Sequence, residues 1–322
     1  MSKPVLIYYD VLQYQPENLQ RLHDNFDVIS LPTPADDTDE ALTVADVSLC
    51  PLGYYCGPEK MDRMPKLKVL GSNTTGHPHI DVGYAAHRGI KVVTLKPEKA
   101  FLDTITPTSE HTFGLILALT RNLIPAHRAV LEGHWNRRPF GAPAMLSSLS
   151  LGIVGLGRLG RKVARYAHAF GMAVTYYDPY VEQGPETPQR CADLKSLVAC
   201  SDIVTLHVPH EPETENLIDA ELLAAFKPGS YLINTARGEL LDFTALLSQL
   251  ESGHLGGAAL DVFEGEFAPD FAARLPHHAL WRYAQTHPNL ILTPHIGGST
   301  VDAWRLTEGH TITRILEALR EQ

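Results

Sequence analysis

The sequence predicts an α/β protein of two doubly wound domains, and three observations carry that expectation. Short apolar runs alternate with helix-like segments through the first hundred residues. One long helical stretch interrupts the alternation, which starts again at Leu151. At the head of this second array a glycine-rich turn, GLGRLG at Gly155 to Gly160, stands between a strand-like run and a helix-like one. Strands separated by helices build βαβ units and a mainly parallel sheet, so each array is expected to form its own sheet. A chain of 322 residues is long enough for two such cores.

The first array opens with VLIYY at Val5 to Tyr9. It continues through DVISL at Asp27 to Leu31, DVSL near Val47 and KVLG at Lys68 to Gly71, and ends in IKVVTL at Leu95. Thr106-Pro107 then supplies an N-cap and a proline at the first helical position, opening a long apolar helix through Phe113, Leu115, Leu117 and Leu119. A helix of this length between two arrays serves as a crossover. The second array offers LGIV, AVTYY, DIVTLHV, YLINT, AALDV and LILT. Ser299-Thr300 caps a last helix with Trp304, Ile312, Ile315, Leu316 and Leu319, which returns to the first domain. The domains are therefore expected at 1–104 with 298–322, and at 105–297. The stretch from Phe267 to Pro288 is polar and rich in histidine, and reads as an irregular surface excursion.

Composition narrows the function classes. Apolar residues make up 44% and charged residues 20%, as in ordinary globular domains. A net charge of −10 argues against nucleic acid and anionic membranes, which recruit Lys and Arg. Cys50, Cys56, Cys191 and Cys200 fit neither a CxxC pair nor a zinc site, so no metal is expected. The start of the chain lacks the long apolar core of a signal peptide, and no apolar run approaches the roughly 18 residues of a membrane span. A cytoplasmic protein is expected.

The chemistry lies between Gly155 and His295. Gly155, Gly157 and Gly160 permit a tight turn, close approach of backbone to a pyrophosphate, and packing of helix on strand. Asp178 ends the next strand, 18 residues after Gly160, where a carboxylate accepts both ribose hydroxyls and repels a 2′-phosphate. That favours NAD over NADP. Arg237 follows the strand YLI, and Gly238 after it permits an unusual turn; a guanidinium there can grip a carboxylate in bidentate fashion. His295 follows LILTP, and Glu266 is the acid expected to orient it and favour its protonated form. Gly297 and Gly298 let other groups come close, and Asp261, at the end of AALDV, can accept from a nicotinamide carboxamide. Of the other histidines, His77 and His79 stand out, because they lie in the loop SNTTGHPH after a strand.

Taken together, GLGRLG, YYDP, HVP at His207 to Pro209, INTARGELLD, GAALDVFEGE and LTPHIGGST resemble the D-isomer-specific 2-hydroxyacid dehydrogenase family. The resemblance implies a Rossmann-type NAD-binding domain and a smaller flavodoxin-like substrate domain with a cleft between them. It implies a homodimer and hydride transfer between NAD(H) and a 2-hydroxy or 2-keto acid. Arg237 would bind the substrate, His295 would be the acid-base and Glu266 its partner. Arg158, Leu159, Asp178, Val208, Thr235, Ala236 and Asp261 would hold NAD with Thr75 beside them, and the amides of Thr74, Thr75 and Gly76 would hold the substrate carboxylate.

The chain departs from the family pattern in places. Phe267 stands where members often carry proline, and the segments Leu95 to Thr106 and Phe267 to Pro288 look expanded; both are expected near the distal end of the substrate. Ser72 and Asn73 occupy the loop where phosphoglycerate-using relatives place a basic residue, so an unphosphorylated acid is expected. No regulatory domain is expected after the last helix. Rival readings are an NAD-sensing, corepressor-like binding protein, a phosphoglycerate dehydrogenase and a phosphite dehydrogenase. Formate enzymes carry Gln where Glu266 stands, which argues against formate.

Overall fold

The computed structural model describes residues 3–184, 188–268 and 270–321. It divides into two compact units, Met1–Ile105 with Ser299–Gln322, and Thr106–Gly298.

In the first unit five parallel strands, β1 (Val5–Tyr9), β2 (Asp27–Leu31), β3 (Val47–Leu49), β4 (Val69–Gly71) and β5 (Lys91–Val93), lie in the order β2-β1-β3-β4-β5. This is the flavodoxin-like order. Leu42, Met61, Met64 and Ile90 cover one face with Ile7 and Leu70. The other face is closed by the last helix, Val301–Arg320, whose Ile312 and Ile315 are wholly buried against Leu6, Val47 and Val69. The contact is close: a Cβ added at Gly71 would lie 2.5 Å from Ile315 Cδ1. Thr300 caps this helix as expected, accepting from the Ala303 amide. In the expanded segment after β5, Glu98 accepts from His310 Nε2 at 3.0 Å and Arg314 Nε at 3.1 Å, and the Phe101 ring stacks on His310. These two side chains are engaged within the first unit.

In the second unit β6 (Ser150–Val154) begins a seven-stranded parallel sheet with β7 (Ala173–Tyr177), β8 (Gln189–Arg190), β9 (Ile203–Leu206), β10 (Tyr231–Asn234), β11 (Gly257–Leu260) and β12 (Leu290–Leu292). The order is β12-β11-β10-β9-β6-β7-β8, so the chain reverses direction between β6 and β9. That is the doubly wound arrangement, with its ligand crevice outside the carboxyl ends of the strands. Both faces are apolar, as helices on either side require. Ile116 and Leu119 of the helix Pro107–Thr120 pack with Ile153, Ile233 and Ala259, while Leu232, Ala258 and Leu246 belong to the opposite core.

Three local expectations are corrected. Thr106 does not cap the helix Pro107–Thr120; its hydroxyl donates to the Glu110 carboxylate one turn on. The stretch after Phe267 is not irregular, because it contains the helices Phe271–Arg274 and Ala279–Thr286. Leu280 and Tyr283, three residues apart, make a helical stripe that enters the core and outweighs the polar composition. The two-residue strand β8 was not foreseen, since Gln189-Arg190 carries no apolar alternation.

Candidate active site

The carboxyl ends of six neighbouring strands set out the site within the second unit. Across the sheet from β12 to β7 they are followed by His295, Asp261 with Glu266, Arg237, Val208, the Gly155 loop and Asp178. The order in the sheet differs from the order in sequence, which is how distant motifs reach one edge.

At the β6–β7 end the geometry fits a dinucleotide. Gly155 is left-handed at φ +89°, and a Cβ there would lie 2.6 Å from Val208 Cγ1. A Cβ on Gly160 would lie 2.1 Å from the Gly155 carbonyl oxygen, so helix and loop touch. At Gly157 a Cβ would meet nothing within 4 Å, which leaves an open face at the start of the helix Arg158–Ala169 where amides and the helix dipole can receive a phosphate. Leu159 and Arg158 are half-buried in its first turn. Asp178 is 8% exposed; its Oδ2 accepts from the Leu156 amide at 2.8 Å and its Oδ1 from the Tyr180 amide at 2.9 Å. It therefore also ties the glycine loop to the end of β7, a role that sequence reading had not assigned. Burial of its ring pushes nearby His207 down to about 4, so this histidine is neutral.

Arg237 is held by its backbone. The buried Asn234 donates through Nδ2 to the Arg237 carbonyl at 2.7 Å and accepts at Oδ1 from the Ala236 amide at 3.0 Å. Thr235 bonds to Thr112 at 2.8 Å. Gly238 is not left-handed, contrary to the expectation of an unusual turn. It is needed for closeness, since a Cβ there would lie 2.2 Å from the Glu264 nitrogen. The turn that carries Arg237 thus presses on the chain two residues ahead of Glu266. A second tie is the Gly265 amide donating to Glu239 at 3.2 Å.

His295 Nδ1 lies 2.8 Å from Glu266 Oε1, so the expected pair forms. Phe267 packs its ring 5.5 Å from the imidazole. His295 is left-handed at φ +53°, a conformation that needs outside support in a residue other than glycine. The support comes from Asp261, whose carbonyl accepts from the His295 amide at 2.8 Å. Its side chain, 1% exposed, accepts from Thr293 Oγ1 at 2.6 Å, the Ile296 amide at 3.0 Å and the Gly297 amide at 2.7 Å. Burial pushes the Asp261 carboxyl up, but hydrogen bonds from His111, Thr293, Gly297 and Ile296 outweigh it and hold the group below its ordinary value. Gly297 is required, because a Cβ there would lie 2.7 Å from Asp261 Oδ2; Gly298 is looser.

In the first unit, the Thr74 hydroxyl donates to the Gly76 carbonyl at 2.6 Å and pairs with Ser72 Oγ at 2.9 Å. Among the described residues no acceptor takes the amides of Thr74, Thr75 and Gly76. His79 is 5% exposed, and its Nε2 lies 3.1 Å from Ser72 Oγ and 3.2 Å from the Cys50 carbonyl. Burial lowers its pKa, and it braces this loop. Sequence reading missed Asn234, Thr293, Thr112 and His111. Their signal was weak, a polar residue at the end or start of an apolar element.

Residues 5–101 match the model of the D-isomer specific 2-hydroxyacid dehydrogenase catalytic domain, and residues 113–297 that of the same family's NAD binding domain. The chain is 39% identical over 264 residues to a glyoxylate reductase of Thermofilum pendens, covering 80% of this chain and 74% of that one. It is 40% identical over 240 residues to a D-3-phosphoglycerate dehydrogenase of Synechocystis sp., covering 74% of this chain and 40% of that one. It spans about half or less of the phosphoglycerate dehydrogenases it matches. A D-lactate dehydrogenase from Aquifex aeolicus, solved with NAD and lactic acid, superposes with a TM-score of 0.83 at 28% identity, over 98% of this chain and 95% of that one. The pyruvate reductase of Chlamydomonas reinhardtii gives 0.84 at 27%, over 100% and 98%.

Proposed function

We propose, since this chain belongs to the D-isomer-specific 2-hydroxyacid dehydrogenase family, that it interconverts an unphosphorylated D-2-hydroxy acid and its 2-keto acid. Bound NAD(H) supplies the chemistry of hydride transfer. The observation that carries the reading is the 2.8 Å pair of His295 and Glu266. A carboxylate only accepts, so Nδ1 of His295 holds a proton toward Glu266. Nε2, with no partner among the described residues, is left to give a proton to the carbonyl oxygen in reduction and to take it from the hydroxyl in oxidation. Arg237 grips the substrate carboxylate and polarises the carbonyl. The amides of Thr74, Thr75 and Gly76 also serve the carboxylate, which their lack of internal acceptors supports. Thr75, Arg158, Leu159, Val208, Thr235, Ala236 and Asp261 hold the cofactor, and Asp178 favours NAD(H) over NADP(H).

Ser72 supports an unphosphorylated substrate. It is 2% exposed and its hydroxyl donates to the Cys50 carbonyl, so the position where phosphoglycerate-using relatives place a basic residue faces inward. The test is a panel of glyoxylate, hydroxypyruvate, pyruvate, 2-oxoglutarate and phosphohydroxypyruvate with NADH, read as loss of absorbance. A dominant rate with phosphohydroxypyruvate overturns the substrate class.

The reading includes a homodimer. The helix Leu123–Leu131 and the segment after it expose Leu131 at 74%, Trp135 at 90% and Met145 at 72%, with Leu123 and Ile124 nearby. Apolar side chains grouped this way mark an interface, and a second copy is the simplest occupant. A monomer mass in sedimentation at micromolar concentration overturns it. Four free cysteines suit a reducing cytoplasm.

A further inference from the structure

Three features of the second unit bear on His111, in the second turn of the helix Pro107–Thr120. Its Nε2 lies 3.2 Å from Asp261 Oδ1 and 3.2 Å from Thr293 Oγ1. The Thr293 hydroxyl already gives its proton to Asp261 at 2.6 Å, so toward His111 it can only accept, and the carboxylate can only accept too. Nε2 must therefore carry a proton, shared between the two oxygens. The third feature is what those oxygens hold. Asp261 and Thr293 flank the chain 293–297, whose left-handed centre is His295, and Asp261 takes the amides of His295, Ile296 and Gly297. The Cδ2 of His111 also lies 3.4 Å from the place of a Cβ on Gly297, so the ring backs the loop as well as bonding to its anchor.

We propose that His111 is a positioning residue for the acid-base: its Nε2–H fixes the Asp261 carboxylate and the Thr293 hydroxyl, and through them the backbone that aims His295. The proposal rests on His295 being the proton carrier. Among the described residues His111 makes no hydrogen bond to His295 or Glu266, and acts on the pair's geometry alone. A donor matters here because the left-handed turn is held by the Asp261 carboxylate, which the Nε2–H helps to fix. Loosening the anchor lets the imidazole swing, and displacements of about 1 Å can lower a rate by about a hundredfold.

Two variants separate the donor from the space it fills. His111→Gln keeps an N–H near the position of Nε2; His111→Phe keeps a ring and loses the donor. We expect His111→Phe to lower kcat about tenfold in both directions, with the NADH dissociation constant changed less than about threefold, and His111→Gln to stay within about threefold of the parent. Equal kcat in both variants, or a change in thermal midpoint with kcat per folded molecule unchanged, overturns the proposal. If the parent reduces no keto acid, the proposed function fails instead, and the positioning claim is read from the His295 ring nitrogens by NMR. Single sharp resonances in the parent and His111→Gln, with broadening in His111→Phe, sustain it; three identical spectra end it.

Discussion

The two ends of the second unit's sheet edge are built by different means. At the β6–β7 end the working groups are backbone: glycines that clear space, a helix start, and Asp178 accepting amides from neighbouring loops. At the β10–β12 end they are side chains on three loops, held by the buried Asn234 and Asp261 and the half-buried Thr293 and His111, the last of them from a helix far off in the sequence. A backbone cradle is specified by a short motif and binds without moving a proton. A side-chain centre needs several loops in register, so it can be damaged at a distance.

This contrast predicts unequal responses to substitution. The largest effect should come from His295→Ala, which removes the proposed proton carrier and should lower kcat by about 10² to 10⁴ in either direction, with NADH binding retained at the other end. Steady-state rates and NADH fluorescence titration, run together, check both halves; loss of binding along with rate would erase the distinction between the ends. Arg237→Lys should lower kcat/KM by about a hundredfold, because an ammonium cannot reproduce the two-pronged grip proposed for the guanidinium. A drop confined to the thermal midpoint would assign Arg237 to the fold instead.

At the cofactor end effects should be smaller. Asp178→Ala should narrow a preference for NADH over NADPH of about tenfold, which the ratio of kcat/KM values measures. It should also cost about 1 to 3 kcal/mol of stability, since the buried amide of Leu156 and the partly buried amides of Tyr180 and Val181 lose their acceptor. Cofactor preference unchanged with stability lost would make Asp178 purely a brace.

A last effect leaves the rates alone and is a pH dependence of stability. With His207 pushed down to about 4 by burial, the unfolded chain takes a proton near pH 6.5 that the folded chain refuses. Stability should thus be flat above about pH 6.5 and fall as pH drops toward 4. His207→Gln should flatten this slope in denaturant titrations at pH 7.5 and 5. Asp261 acts in a separate window: its lowered pKa adds stability that is present above its unfolded value and lost only below about pH 4. A slope near pH 6 that survives His207→Gln would show that another group sets it.

The same contrast explains what was legible in the sequence. VLIYY and AVTYY match β1 and β7 residue for residue, since a buried parallel strand is a short run of apolar side chains. Arg237, Glu266 and His295 were legible because each follows such a run in a distinctive motif, and the structure brings Glu266 to His295. Their supports were not legible. His111 matters through contacts across 150 and 182 positions, to Asp261 and Thr293, which no local pattern records, and Asn234, only three residues before Arg237, reads as one more polar residue ending a strand. The helix Ala279–Thr286 was hidden for the opposite reason, its histidines masking a two-residue apolar stripe.

The final helix also bears on how the protein is made. Ile312, Ile315 and Ala318 complete a core whose other buried members lie between Leu6 and Val69. As synthesis proceeds from the N-terminus, the first sheet emerges early but waits with one apolar face only partly covered, by the helix Pro16–Asn25, while the whole second unit is added. That second unit carries both of its own cores and can close as soon as it is out. Completion therefore reverses the order of manufacture: the oldest part of the chain is finished last, and its half-covered sheet is the surface most open to chaperones, and to mispairing, until the last turns of helix arrive.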